Sequence, residues 1–151
     1  MVLLDSMLLS LFVVGTASRG YISKHKRLQQ FKEIDFDLLV DNVSRASGLL
    51  LTPNTLTETA NWAKMIAEPA RSDVASTFQA MVVTLEERYI PSRDAVRSAE
   101  FGRLWLADAA ILAALANGHV LLTTDFALYD AALRRGLKAI NFNDLRPAPV
   151  R

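Results

Sequence analysis

The order of segments along the chain predicts an α/β fold: three layers, with helices on both faces of a short central parallel sheet of four or five strands. Three observations carry this reading. Short apolar runs, among them Val2-Leu3-Leu4, Leu49-Leu50-Leu51 and Val120-Leu121-Leu122, alternate with stretches whose apolar residues recur at helical intervals. Strands of parallel sheets, buried on both faces, read in this way. The 151 residues, 51% hydrophobic and 22% charged, suffice for one core and are too apolar for a disordered chain. Asp5 and Asp125 each follow an apolar run, at the carboxyl edge where such sheets bind ligands.

Val2–Leu4 reads as a short buried strand, and the apolar stretch Ser6–Val14 as the helix after it. Gly15–Gly20 reads as a loop, followed by a polar segment from Lys24 to Phe31. Phe36, Leu38, Leu39, Val43 and Ala46 share a helical face, giving a helix over about Asp35–Ser47 closed by Gly48. Leu49–Thr52 is a second strand, stopped by Pro53. Asn54 or Thr55 caps a helix carrying Glu58 and Trp62 that ends near Pro69. Another amphipathic helix spans Ser72 to about Glu87, and Ile90-Pro91-Ser92 is a loop. A long helix from about Ala99 to Asn117 is closed by Gly118. The strand His119–Thr123, a helix Ala127–Arg135 ending at Gly136, and the strand Lys138–Asn141 complete the pattern. Residues 1–146 form one domain, and 147–151, with Pro147 and Pro149, a short C-terminal tail.

Composition removes several function classes. With no cysteine, disulfides and thiolate-held zinc or iron–sulfur clusters are excluded. Only two histidines are present, so a metal would be held mainly by oxygen, which points to Mg²⁺ or Mn²⁺. A net charge of +1 gives no global signal for nucleic acid, and any basic footprint must be local. No apolar run approaches the ~20 residues of a membrane span. Met7–Val14 has the hydropathy of a signal-peptide core, but no Lys or Arg precedes Arg19 and Asp5 is negative. The expected location is the cytoplasm.

Four carboxylates sit in apolar surroundings: Asp5 after the first strand, Glu58 and Asp108 on apolar helical segments, and Asp125 after Val120–Thr124. Ionised carboxylates are rarely buried without a partner or a metal. The other duty open to Asp5 and Asp125 is to cap the helix that follows. For Glu58 it is a place on a solvated helix face.

Taken together, these segments resemble the PIN-domain family of metal-dependent ribonucleases. The matching pieces are Leu3-Leu4-Asp5-Ser6, Thr52 to Glu58, Asp108-Ala109-Ala110-Ile111-Leu112-Ala113, and Leu122-Thr123-Thr124-Asp125, and the likeness runs from Val2 to about Phe142. The resemblance implies that Asp5, Glu58, Asp108 and Asp125 are the catalytic acids and hold one or two Mg²⁺ or Mn²⁺ ions. It implies that Ser6, Thr123 and Thr124 hydrogen-bond those acids. The function it implies is endoribonuclease hydrolysis of RNA phosphodiesters, as in the toxin of a toxin–antitoxin pair. A small antitoxin-like inhibitor protein and a homodimer are the partners that go with it, and no membrane is involved. Met7 and Ala107 stand where many members carry polar residues. On them rests the alternative of a catalytically weak or inactive PIN-like module that binds RNA or protein. HAD-type phosphatases need a second Asp where Met7 stands, and receiver domains a late Lys after a strand; neither pattern is present.

The densest basic patch, Arg19, Lys24, Lys26 and Arg27, is a candidate set of phosphate contacts, with solvated surface as its other reading. Arg93, ahead of the Asp108 helix, is a further candidate on the substrate path. Asp130 is a candidate fifth acid, Asn141 a turn residue, and Trp62, Trp105 and the phenylalanines are expected in the core or at a dimer interface.

Overall fold

A computed structural model describes residues 1–116 and 118–148. The chain is a helix-dominated mixed α/β fold with a small parallel sheet of three strands and a second of two. Val2–Leu4 (β1), Val120–Thr123 (β4) and Lys138–Asn141 (β5) form the first, in the order β1-β4-β5. Leu50–Leu51 (β2) and Glu86–Glu87 (β3) form the second. A parallel bridge between Val2 and Leu49, with the Val2 N–H donating to the Gly48 carbonyl at 2.9 Å, ties the two together.

Strand side chains alternate in direction, and the apolar runs serve both directions. Val2, Leu4, Leu51 and Leu122 enter one apolar cluster, with Leu8, Leu11 and Val14 of helix α1 (Ser6–Ala17) and Phe36 and Leu39 of α2 (Glu33–Ser44). Leu3, Leu50 and Leu121 enter another, with Ile111 and Leu112 of α6 (Phe101–Ala114) and Leu128 of α7 (Phe126–Arg134). A strand with a cluster on each side has no room for polar residues, which is why these runs are wholly apolar. Between β2 and β3 lie α3 (Pro53–Ala63) and α4 (Ala70–Thr84); the short helices α5 (Ser92–Ala95) and α8 (Phe142–Leu145) complete the fold. Among the described residues no helix is long and apolar enough to cross a membrane.

The structure revises several sequence expectations. Gly15 belongs to α1, not to a loop: a Cβ there would run into the Phe36 ring, so the missing side chain lets α2 close on α1. Arg19–Lys24, expected to begin as loop, forms a 3-10 turn. Helix α2 starts at Glu33 and ends at Ser44, short of Gly48. Thr52, rather than Asn54 or Thr55, caps α3, accepting from the Thr55 N–H at 3.3 Å, and α3 stops at Ala63, well before Pro69. Glu86 and Glu87, read as the end of a helix, pair instead with Leu50 and Leu51.

The largest departure lies in α6. It ends at Ala114, with Leu115 extended, so Gly118 does not cap it; Asn117, the expected last residue, and Pro149 lie outside the described residues. Trp105 interrupts α6 with φ 62° and ψ −164°, a backbone region almost confined to glycine. Trp105 is 69% exposed, not in the core, and Phe126 is also exposed. Gly136, with φ 71°, closes α7 as expected.

Candidate active site

Parallel pairing in register places Leu4 opposite Leu122, so the residues just beyond β1 and β4 are neighbours. Asp5 leaves β1 in extended conformation and caps α1, its Oδ1 accepting from the Leu8 N–H at 2.8 Å. Its Oδ2 accepts from the Thr123 hydroxyl and from the Thr124 N–H, the latter at 2.9 Å. A carboxylate offers about four lone-pair sites; three are taken, leaving one on Oδ1. Thr123 also accepts from the Asp125 N–H at 2.9 Å. Asp125 in turn caps α7, accepting from the Leu128 N–H at 3.1 Å. Both aspartates therefore perform the capping duty open to them.

Asp108 lies three residues past the break at Trp105, in the first turn of the helix that resumes there. Glu58 stands half-buried on α3, which packs against α6. Asp5, Glu58, Asp108 and Asp125 all line one cleft of about 330 Å³, together with Ser6 and Met7. Burial first, and then the charges of Asp5, Asp125 and Glu58, push the Asp108 carboxyl up to about 7. Burial likewise raises Asp5 above the usual carboxylate range, against the hydrogen bonds from Leu8, Thr123 and Thr124, with Asp125 adding a smaller upward push. The four acids thus share a cleft and act on one another electrostatically.

Sharing a cleft is less than forming a ligand sphere. Among the described residues, no group of three or more His, Cys, Asp or Glu side chains is arranged to hold a metal ion. Asp5 and Asp125 each direct a carboxylate oxygen to the start of their own helix instead. The donor set nonetheless suits a hard cation, being all oxygen. The Ser6 Oγ, buried at the same cleft, has no hydrogen-bond partner among the described residues. It was expected to bond a carboxylate and does not. Thr123 does so through its hydroxyl, and Thr124 through its backbone N–H.

The basic candidates divide. Arg19 is paired with Asp37 and Glu33 on α2 and faces that helix. Lys24 and Lys26 are exposed. Arg27 stacks over Trp62, 4.2 Å from the ring centroid, and Trp62 lines the acidic cleft, so this cation stands beside it. Arg93 is exposed on α5 and does not line the cleft. Asp130 is paired with Arg134 and Arg103 instead of joining the acids. His25 is fully buried, its Nδ1 accepting from the Arg27 N–H and its Nε2–H donating to the Trp62 carbonyl, which pins the basic segment to the end of α3.

Two cleft residues escaped the sequence reading, Gln30 and Asn143. Asn143 donates to the Thr124 carbonyl at 3.3 Å. A polar residue in a polar stretch gives no signal in sequence, unlike an acid in an apolar one. Asn141 caps α8, a structural role. Comparison of the chain with protein families, with curated proteins and with solved structures finds no match.

Proposed function

We propose that the chain is a divalent-metal-dependent endoribonuclease hydrolysing RNA phosphodiester bonds, a PIN-like domain of three α/β/α layers acting in the cytoplasm. The observation that carries the reading is the Asp108 carboxyl, raised to about 7 inside a cleft by burial and by the charges of three other acids. An acid cluster of that kind favours a cation in place of its protons. Asp5, Asp108, Asp125 and Glu58 are the residues that would hold one or two Mg²⁺ or Mn²⁺ ions. Such ions, when bound, activate a water for in-line attack and neutralise charge on the leaving oxygen.

The chain's own residues prepare that chemistry. Leu8, Thr123 and Thr124 fix the Asp5 carboxylate in one orientation. Asp108, which burial and its acidic neighbours keep partly protonated near pH 7, is an acid whose proton an incoming cation would displace. The Ser6 hydroxyl, buried in a residue that lines the cleft, has no hydrogen-bond partner among the described residues. Arg27, over the Trp62 ring, offers a cation to the RNA backbone beside the acids. A toxin role, with a small antitoxin-like inhibitor and a homodimeric state, belongs to the same reading.

One observation favours a second reading. No ready ligand sphere exists among the described residues, as suits a weak or inactive PIN-like module that binds RNA or protein. Incubation of single-stranded RNA with the protein separates the two. The nuclease reading expects cleavage in Mn²⁺ or Mg²⁺, none in EDTA, and none with Asp5→Asn or Asp108→Asn at unchanged circular dichroism. Full cleavage by either variant contradicts it, and RNA bound but uncut in every divalent metal selects the binding module.

A further inference from the structure

A second groove, of about 690 Å³, opens from the acidic cleft and shares Glu58, Trp62 and Asp108 with it. Two of its lining residues are large, exposed aromatics: Tyr89, 72% exposed, and Trp105, 69% exposed. Its polar lining includes the carboxamides of Asn54 and Asn61 on the α3 side. Neither burial nor backbone comfort explains a tryptophan at position 105. The ring stays in solvent while the backbone holds a conformation almost confined to glycine. Phe101 packs against one part of the ring, with centroids 5.7 Å apart at 57°, and fixes its orientation on the groove.

We propose that this groove takes unpaired bases of a single-stranded RNA, stacked on Trp105 and Tyr89, beside the acids. The inference rests on the nuclease reading for the identity of the strand. Aromatic side chains bind bases of any sequence through the π-face, and a carboxamide carries both a donor and an acceptor for a base edge. Paired RNA keeps its bases stacked on one another and withholds their faces. A strand laid in the groove reaches the acids through the shared residues Glu58 and Asp108, with Arg27 on Trp62 close to its backbone. Ile90, Leu104 and Leu106 also line the groove, so a protein segment is the competing outcome of the test.

The test is a fluorescence titration of the full chain in EDTA, where binding is read without cleavage, using oligoadenylate of about eight nucleotides. Tryptophan emission is expected to fall on binding. Trp105→Gly, whose backbone suits the site, is expected to bind about tenfold more weakly and to lose most of the quench. Tyr89→Ala, in a different segment, is expected to weaken binding by a similar factor. An abasic oligonucleotide of equal length is expected to bind the unmodified protein at least tenfold less well and to bind Trp105→Gly unchanged. Unaltered binding by both variants overturns the proposal. So does equal binding of the abasic strand, which leaves the groove to a protein segment. Quenching and base-dependent binding with no cleavage in any divalent metal would defeat the nuclease reading and leave the base-stacking groove standing. Unaltered binding by both variants with metal-dependent cleavage intact would do the reverse.

Discussion

Asp108 concentrates the electrostatics of the cleft, because burial, Asp5, Asp125 and Glu58 all disfavour its charge. A carboxyl held at about 7, above its ordinary 3.8, binds its proton more tightly in the folded chain than in the unfolded one. The stability it lends is fully present below about 3.8 and is lost as the pH rises through about 7. Asp108 is partly open to solvent, so the effect is a few kcal/mol at most. Asp108→Asn, which cannot ionise, should therefore raise the melting temperature of the metal-free protein by about 2–6 °C at pH 8 and change it little at pH 4. Thermal unfolding followed by circular dichroism checks this, and an equal shift at both pH values would contradict it. At this scale Asp5 and Asp108 were legible because each carboxylate adjoins an apolar run, and Glu58 and Asp125 because of their order after a strand. Their hydrogen-bond partners were only partly so: Thr123 and Thr124 were expected to bond an acid, but that Ser6 would be left without one depends on side-chain directions.

Elements were legible where one force dominated. Strands β1 and β4 and the helices after them follow from apolar runs and from a strand–Asp–helix order that lets the acid cap. Strand β3 was not, since two exposed glutamates carry no strand signal and are recruited by pairing with β2 alone. The break at Trp105 was hidden because Leu104-Trp105-Leu106-Ala107 contains neither glycine nor proline to mark it. Gly15 misled for an opposite reason: glycine usually marks a loop, but here it is the contact point between α1 and α2. Gly15→Ala forces a methyl group into the Phe36 ring and should cost about 1–3 kcal/mol. Urea unfolding measures it; an unchanged or raised midpoint would show that α2 can shift freely on α1.

Across the whole molecule, the acidic cleft depends on segments far apart in sequence. Arg146 binds Asp35 at 3.0 Å, donates to the Gln30 carbonyl at 2.6 Å and lies over Phe31, fastening the C-terminal segment to the start of α2. Gln30 and Asn143, beside these contacts, both line the acidic cleft. Asp35 is almost wholly buried, so removing its guanidinium leaves a charge without its partner. Arg146→Ala should lower stability by about 1–3 kcal/mol, less than for a fully buried pair because Arg146 is partly exposed. Denaturant unfolding reads the loss, and a neutral result would mean that water replaces the arginine at no cost. Arg146 falls within the domain that the sequence predicts, but no local feature distinguishes an arginine that pairs 111 residues away.

The proposed metal site is tested most directly by titrating Mn²⁺ calorimetrically into the metal-free protein and into Asp108→Asn. Expected is saturable binding by the unmodified chain, with proton release that grows as the pH falls below about 7. Asp108→Asn should bind roughly tenfold more weakly or worse, and release fewer protons. Equal affinity in the two proteins, or no binding in the first, would contradict the assignment.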